Sequence, residues 1–194
     1  MSAAVVLAAG AGTRLGGVPK ALLVHHERTF LQHIVDTLRT VEGGPCIVVV
    51  GPPYGEVVGE HARSITGIEI VVVENPDPSR GMASSIALGF AALQGRRSRV
   101  YDAYLWPVDH PFVKHETLAA LGAAVKDAAR PTYQGRGGHP PLIARPMWQR
   151  FATCDQIEGG ARAVMAKLDV AHVPVDDPGV VRDVDTPEDR QALS

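Results

Sequence analysis

The chain has 194 residues, 45% of them hydrophobic and 21% charged, with a net charge of −2. That length suits one domain with a full-sized core, spanning residues 1–194. The composition is that of a globular protein, and no run of Lys or Arg forms the basic stripe of a nucleic-acid binder. The longest apolar runs are far too short to span a membrane. Ala3–Ala9 lacks a positively charged lead-in and breaks at Gly10, which argues against a secretion signal. The two cysteines, Cys46 and Cys154, have no CxxC or metal-ligand spacing, so reduced thiols in a cytoplasmic protein are the simplest reading.

In chain order, AVVLAA (4–9) reads as a buried strand from its length and valine content. Phe30, Leu31, Ile34, Val35 and Leu38 recur at helical spacing, which predicts a helix over 29–40. His25-His26 reads as a surface turn. CIVVVG (46–51) is a second strand, and Val57, Val58 and His61 sit on a short helix after Pro52-Pro53. IEIVVVE (68–74) is a third strand, 84–93 a helix and YDAYLWPVD (101–109) a fourth strand. Residues 115–129 read as one helix. PTYQGRGGHPPLI (131–143) reads as two short strands around a glycine-rich turn. Helices over 146–151 and 159–168 and a strand over 170–176 follow. Thr186 caps a last helix, with Pro187 at its first position and Asp189 reaching back. Strands that are apolar throughout, alternating with helices, predict an α/β fold with a mixed, mainly parallel sheet covered on both faces.

The first strand runs into a loop carrying Gly10, Gly12, Gly16, Arg14 and Lys20. This is not the dinucleotide fingerprint, because Leu15 stands where its third glycine would be and no acidic residue stands on a second strand about 20 positions later to hold a ribose. It is not a Walker A loop, since no Gly-Lys-Ser/Thr occurs. Glycines let a backbone turn its N–H groups onto a ligand, and two cations in one loop match a polyphosphate. A tight turn with two solvated cations is the plainer alternative.

LAAGAGTRLGGVPKALL resembles the signature loop of the nucleotidyltransferases. NPDPSRGMASSIALG (75–89), PVDHP (107–111), GGHPPLI (137–143), GGAR (159–162) and DVDTPED (183–189) resemble, in order, the motifs of the molybdenum cofactor cytidylyltransferases and guanylyltransferases. The resemblance covers nearly the whole chain. It implies a three-layer, Rossmann-like fold of the nucleotide-diphospho-sugar transferase type. It also implies Mg²⁺-dependent transfer of a nucleoside monophosphate from an NTP to a phosphorylated acceptor, with pyrophosphate leaving.

By that resemblance Leu7, Ala8, Ala9, Gly10, Gly12 and Thr13 contact the nucleotide, and main-chain groups of Ala8, Ala9 and Gly10 read the base. Lys20 and Arg14 hold the phosphates. Gly81, Ser84 and Ser85 stand at a helix start where hydroxyls could meet ribose or base, or where Ser84 merely caps. Asp109 is the principal Mg²⁺ ligand. Asp183 and Asp185, two apart on an extended segment, leave open which supplies a second carboxylate. His110, His139 and Arg162 face the acceptor, unless His139 is a surface loop residue and Arg162 a first-turn helix residue. His110 departs from the glutamine or threonine usual in that position and bears on acceptor identity. Leu7-Ala8-Ala9-Gly10, in place of L-A-G-G, favours CTP over GTP. Molybdopterin is the acceptor the resemblance suggests, with the product passed to a cofactor-accepting enzyme. A sugar or polyol phosphate acceptor, and a non-catalytic nucleotide-binding domain, are the alternatives.

Overall fold

The computed structural model describes residues 1–41, 43–96 and 99–191, with Arg14 and Arg190 described by their backbone alone. Strand β1 is Ser2–Leu7, and a small hairpin follows as β2 (Val24–His25) and β3 (Arg28–Thr29). Helix α1 is Phe30–Arg39, β4 is Cys46–Val50, α2 is Gly55–Ser64, β5 is Ile70–Glu74 and α3 is Met82–Gln94. Then come β6 (Asp102–Pro107), α4 (His115–Ala124), β7 (Ala128–Tyr133), β8 (Arg136–Gly137) and β9 (Leu142–Ala144). The chain continues through α5 (Trp148–Ala152), α6 (Gly160–Met165), β10 (Val170–Pro174) and α7 (Pro187–Gln191).

The main sheet runs β10-β7-β9-β6-β1-β4-β5, with β8 on β7. β1 pairs in parallel with β4 and β6, β4 with β5, and β7 with β10. β9 is antiparallel to both β6 and β7, so the sheet is mixed but mainly parallel. Successive strand residues face opposite sides, and both sides are apolar. Ala4, Val6, Val48 and Trp106 meet Leu31, Ile34, Leu38, Val58 and Leu118 of α1, α2 and α4. Ala3, Val5, Leu7, Ile47 and Val49 meet Ile86, Phe90, Leu93, Trp148 and Phe151 of α3 and α5. That is why β1 and β4 read as continuous apolar runs. Helix α3 lies so close to the sheet that a Cβ on Gly89 would stand 2.3 Å from Val5 Cγ1 and 3.1 Å from Val49 Cγ2. Thr29 caps α1 through a reciprocal bond pair with Gln32, which fixes the start of that helix.

The structure corrects two of these readings. The helix expected over 115–129 stops at Ala124, and residues 128–133 form β7. Ala128 and Ala129 are fully buried between Ile143 and Leu142 on one side and Val170 and Ala171 on the other. Pairing on both edges outweighs the helix propensity of an alanine-rich run. The 131–143 segment holds parts of three strands rather than two. His25 and His26 lie at the tip of the β2–β3 hairpin, where His26 and Glu27 take positive φ of 47° and 63°. Among the described residues no helix is long and apolar enough to cross a membrane.

Candidate active site

After β1 the chain fills the sheet to one side with β4 and β5, then returns to place β6 on the other side of β1. The carboxyl ends of β1 and β6 lie together, with Leu7 opposite Pro107. Loops that leave a parallel sheet at such a reversal diverge and open a crevice. A cavity of about 250 Å³ lies there, lined by Leu7, Ala8, Ala9, Gly10, Lys20, Pro78, Gly81, Met82, Ser85, Pro107, Val108 and Asp109.

The loop after β1 is held by its own turns. Gly12 has φ 58°, and a Cβ there would stand 2.0 Å from Val18 O, so only glycine fits. Thr13–Leu15 is a single 3₁₀ turn, and Gly17 N donates to Gly12 O at 3.0 Å. Leu15, standing where a dinucleotide fingerprint has glycine, is buried with Leu23, Phe30 and Val184 in a small separate core beneath the loop. Tyr54 Oη donates to Gly17 O from α2's entry, a contact that no sequence spacing announces. The Arg14 side chain lies outside the described residues.

A second 3₁₀ turn, Lys20–Leu22, aims Lys20 at two carboxylates. Its Nζ donates to Asp109 Oδ2 at 3.3 Å and to Asp185 Oδ1. Asp109 follows β6, and its carbonyl accepts a bond from Val184 N at 3.0 Å, which docks the 183–186 segment on the strand end. Val184 is fully buried, Asp185 is half-buried beside Lys20, and Asp183 is exposed. Of the two aspartates, then, Asp185 joins Asp109. Asp189 Oδ2 accepts from Asp185 N at 3.0 Å and Thr186 N at 2.8 Å. These backbone bonds, that from Asp185 first, hold its carboxyl below the usual range.

Lys20 thus sets one positive charge between two carboxylates. Asp109 Oδ1 is buried and has no hydrogen-bond partner among the described residues. A desolvated anionic oxygen left unpaired is costly, and a cation would satisfy it. No cluster of three or more His, Cys, Asp or Glu that could hold a metal occurs among the described residues. The pair therefore suits a hard cation that borrows phosphate oxygens. Mg²⁺ commonly binds through one or two carboxylates plus substrate phosphates.

Across the cavity, Gly81 adopts φ 93°, ψ 172°, a conformation open essentially to glycine alone, just before α3 begins. Asn75, which sequence reading quoted but gave no role, organises this wall. It is 1% exposed, and its Nδ2 donates to Ser84 Oγ and Ser85 Oγ, both at 2.9 Å, while its Oδ1 accepts from Asp77 N at 3.1 Å. Ser84 Oγ in turn donates to Gly81 O at 2.8 Å. Ser85 lines the cavity; Ser84, 1% exposed, is committed to the loop behind it. The geometry gives Ser84 a positioning role in place of the ligand contact considered from sequence.

A second cavity of about 370 Å³ shares Leu7, Met82 and Pro107 with the first and reaches His139, Arg130 and Arg162. His110 is 8% exposed with its Nε2 3.9 Å from Asp109 Oδ1, and its ring lies 4.9 Å from that of His139. Burial first, then the charges of His110 and Arg130, push the His139 imidazole down to about 4. His139 is thus a partly buried, uncharged wall residue. Arg130 is a residue that sequence reading missed.

A mainly parallel three-layer sheet with a glycine-rich loop, a lysine and strand-end carboxylates at its reversal defines a nucleotide-handling α/β protein. Residues 4–173 match the family described as the MobA-like NTP transferase domain, and the chain belongs to that nucleotidyltransferase family. It is 35% identical to the molybdenum cofactor guanylyltransferase of Acidiphilium cryptum over 76% of this chain and 71% of that one. It is 30% identical to the nicotine blue oxidoreductase of Paenarthrobacter nicotinovorans over 97% of this chain and 94% of that one. Among solved structures, Rv0371c of Mycobacterium tuberculosis superposes with a TM-score of 0.77 at 30% identity, covering 98% of this chain and 95% of that one. A manganese complex of the same mycobacterial protein matches at 28% identity and TM-score 0.71 over 98% and 96% of the two chains. The fold is that of the nucleotide-diphospho-sugar transferases, as the sequence resemblance implied.

Proposed function

We propose that this protein transfers a nucleoside monophosphate, with CTP as donor, to a phosphate group of a small acceptor, for which molybdopterin is the leading candidate. The observation that carries this reading is the Lys20 ammonium held between Asp109 and Asp185 on the wall of the strand-end cavity. In the reaction an acceptor phosphate oxygen attacks the α-phosphorus, the bond to the bridging oxygen breaks, and pyrophosphate leaves with that electron pair. Such chemistry rests on positioning and charge neutralisation. Lys20 and Arg14 hold the triphosphate and the departing pyrophosphate. Asp109 and Asp185 would hold Mg²⁺, which when bound neutralises phosphate charge. Main-chain groups of Ala8, Ala9 and Gly10 face the base. Ala9 lines the cavity where the guanylyltransferase-type loop has glycine, and that added methyl supports a pyrimidine over a purine. The second cavity, with His139 and Arg162, takes the acceptor.

Similarity to an oxidoreductase over nearly the full length raises an oxidoreductase activity as a second reading. The buried Leu15 in the loop and the Lys20–carboxylate group support transfer chemistry instead, and NADH oxidation by the purified protein would reverse that preference.

The direct test is thermal stability with CTP, GTP, UTP and ATP, each with and without Mg²⁺. A ligand at about 100 times its Kd adds roughly 2.7 kcal/mol, about 5–11 °C at this size. The expected result is a Mg²⁺-dependent rise with CTP that Asp109→Ala abolishes while staying folded. A flat response to all four nucleotides refutes the reading.

A further inference from the structure

Beyond the second cavity lies a third, of about 530 Å³, and the two share Arg130, Arg162 and Met165. Both arginines therefore stand where the two spaces adjoin, one from β7 and one from α6. Among the described residues neither guanidinium is ion-paired. Asp169, the acidic residue on this rim, pairs instead with Lys126 at 3.1 Å. Arg130 is half-buried and held in place. Its Nε donates to Gly138 O at 3.3 Å, and its Cζ would lie 2.8 Å from a Cβ on Gly137. The glycine pair of the β8 turn thus makes room for the guanidinium and leaves its terminal nitrogens without a carboxylate. A planar fork held by its Nε is a preorganised anion receptor. Between this pair and the donor cavity the walls are largely apolar: Leu7, Met82, Ile86, Leu105, Pro107 and Pro141.

We infer that the acceptor is elongated and anionic at both ends, and that Arg130 and Arg162 bind its distal anionic group while its phosphate meets the nucleotide beside Asp109. The wall chemistry assigns an uncharged middle to that acceptor. A short phosphate monoester with no second anion would leave both arginines unused. Arg130 and Arg162 thereby set acceptor selectivity at a distance from the reacting phosphorus.

This inference rests on the proposed transfer reaction, and the two fail separately. Binding would be measured calorimetrically for hexyl phosphate and for the alkane-1,n-diol bisphosphates from butane to octane. The protein is first saturated with Mg²⁺ and the α,β-methylene analogue of its NTP, so that the phosphates cannot enter the donor site. Failure of every NTP analogue to bind removes the transfer reading itself. With the analogue bound, at least one bisphosphate is expected to bind ten-fold or more tightly than hexyl phosphate. Arg130→Gln and Arg162→Gln should each erase most of that preference while keeping the analogue's Kd within two-fold. A bisphosphate no tighter than hexyl phosphate overturns the inference, and so does a preference that survives both substitutions. Should either variant lose analogue binding by misfolding, Arg130→Lys, which keeps the charge but not the fork, is expected to retain a partial preference. A full preference in that variant removes the fork from the argument.

Discussion

Replacing Asn75 with alanine removes the bracket behind the strand-end cavity without touching its surface. The substitution deletes two donated bonds of 2.9 Å and one accepted bond of 3.1 Å at a residue 1% exposed. Ser84 keeps its bond to Gly81 O, but Ser85 Oγ and Asp77 N lose their bonds to Asn75. At about 1 kcal/mol for each neutral bond, the loss sums to about 3 kcal/mol. That is a large share of the roughly 5–15 kcal/mol that holds a domain folded. Urea unfolding at neutral pH should show a lower midpoint at unchanged slope, and the melting temperature should fall by about 6–12 °C. The loop from Asp77 to Gly81 should also loosen, so KM for the nucleotide should rise more than kcat falls. Ser84→Ala, which removes two bonds of the same network, should cost about 2 kcal/mol, and the double variant should cost less than the sum of the two. A change below about 0.5 kcal/mol in Asn75→Ala, the range of an unremarkable surface substitution, would refute the bracket.

Lys20→Ala should reduce kcat/KM by about 2–4 kcal/mol of transition-state stabilisation, the scale of losing one preorganised donor; steady-state kinetics with unchanged kcat/KM would remove Lys20 from the chemistry. Gly89→Ala should destabilise by about 1–3 kcal/mol through overpacking against Val5 and Val49, read from denaturant midpoints, and equal stability would mean that α3 can shift away. His139 titrates near 4 when folded against 6.5 as its ordinary value, so between those values the unfolded chain binds the extra proton. Stability from this residue is therefore fully present above about pH 6.5 and lost as pH falls toward 4, about 1 kcal/mol of it by pH 5.5. His139→Gln should flatten that part of the stability curve, and an unchanged slope would mean that the imidazole is not held uncharged.

The central strands were legible because β1, β4 and β6 are apolar on both faces, and burial on both faces is what a parallel sheet imposes. The end of α4 was not legible. Residues 125–129 carry alanines that suit either a helix or a strand between two partners, and only the distant 142–143 and 170–171 segments decide. Motif order named Lys20 and Asp109 as candidates, but not that the two side chains meet. The choice of Asp185 over Asp183 was not, because it depends on which backbone N–H reaches Asp109 O. Asn75 and Arg130 escaped for a shared reason: their roles come from folded-state neighbours and leave no periodic signal. Adjacent serines 84 and 85 look alike in sequence, yet a helix start turns one into its loop and the other to the cavity.

Lys20 and Asp185, which meet in the site, are 165 positions apart in the chain. At roughly 5–20 residues per second a ribosome needs about 8–33 s to make the second after the first. Through that interval the glycine-rich loop can already exist, but its lysine faces at most one of its two carboxylates. The small core of Leu15, Leu23 and Phe30 also waits for Val184. The nascent chain thus holds a glycine-rich loop before it holds a site, and the arrangement is completed in one step when residues 184 and 185 dock on the end of β6.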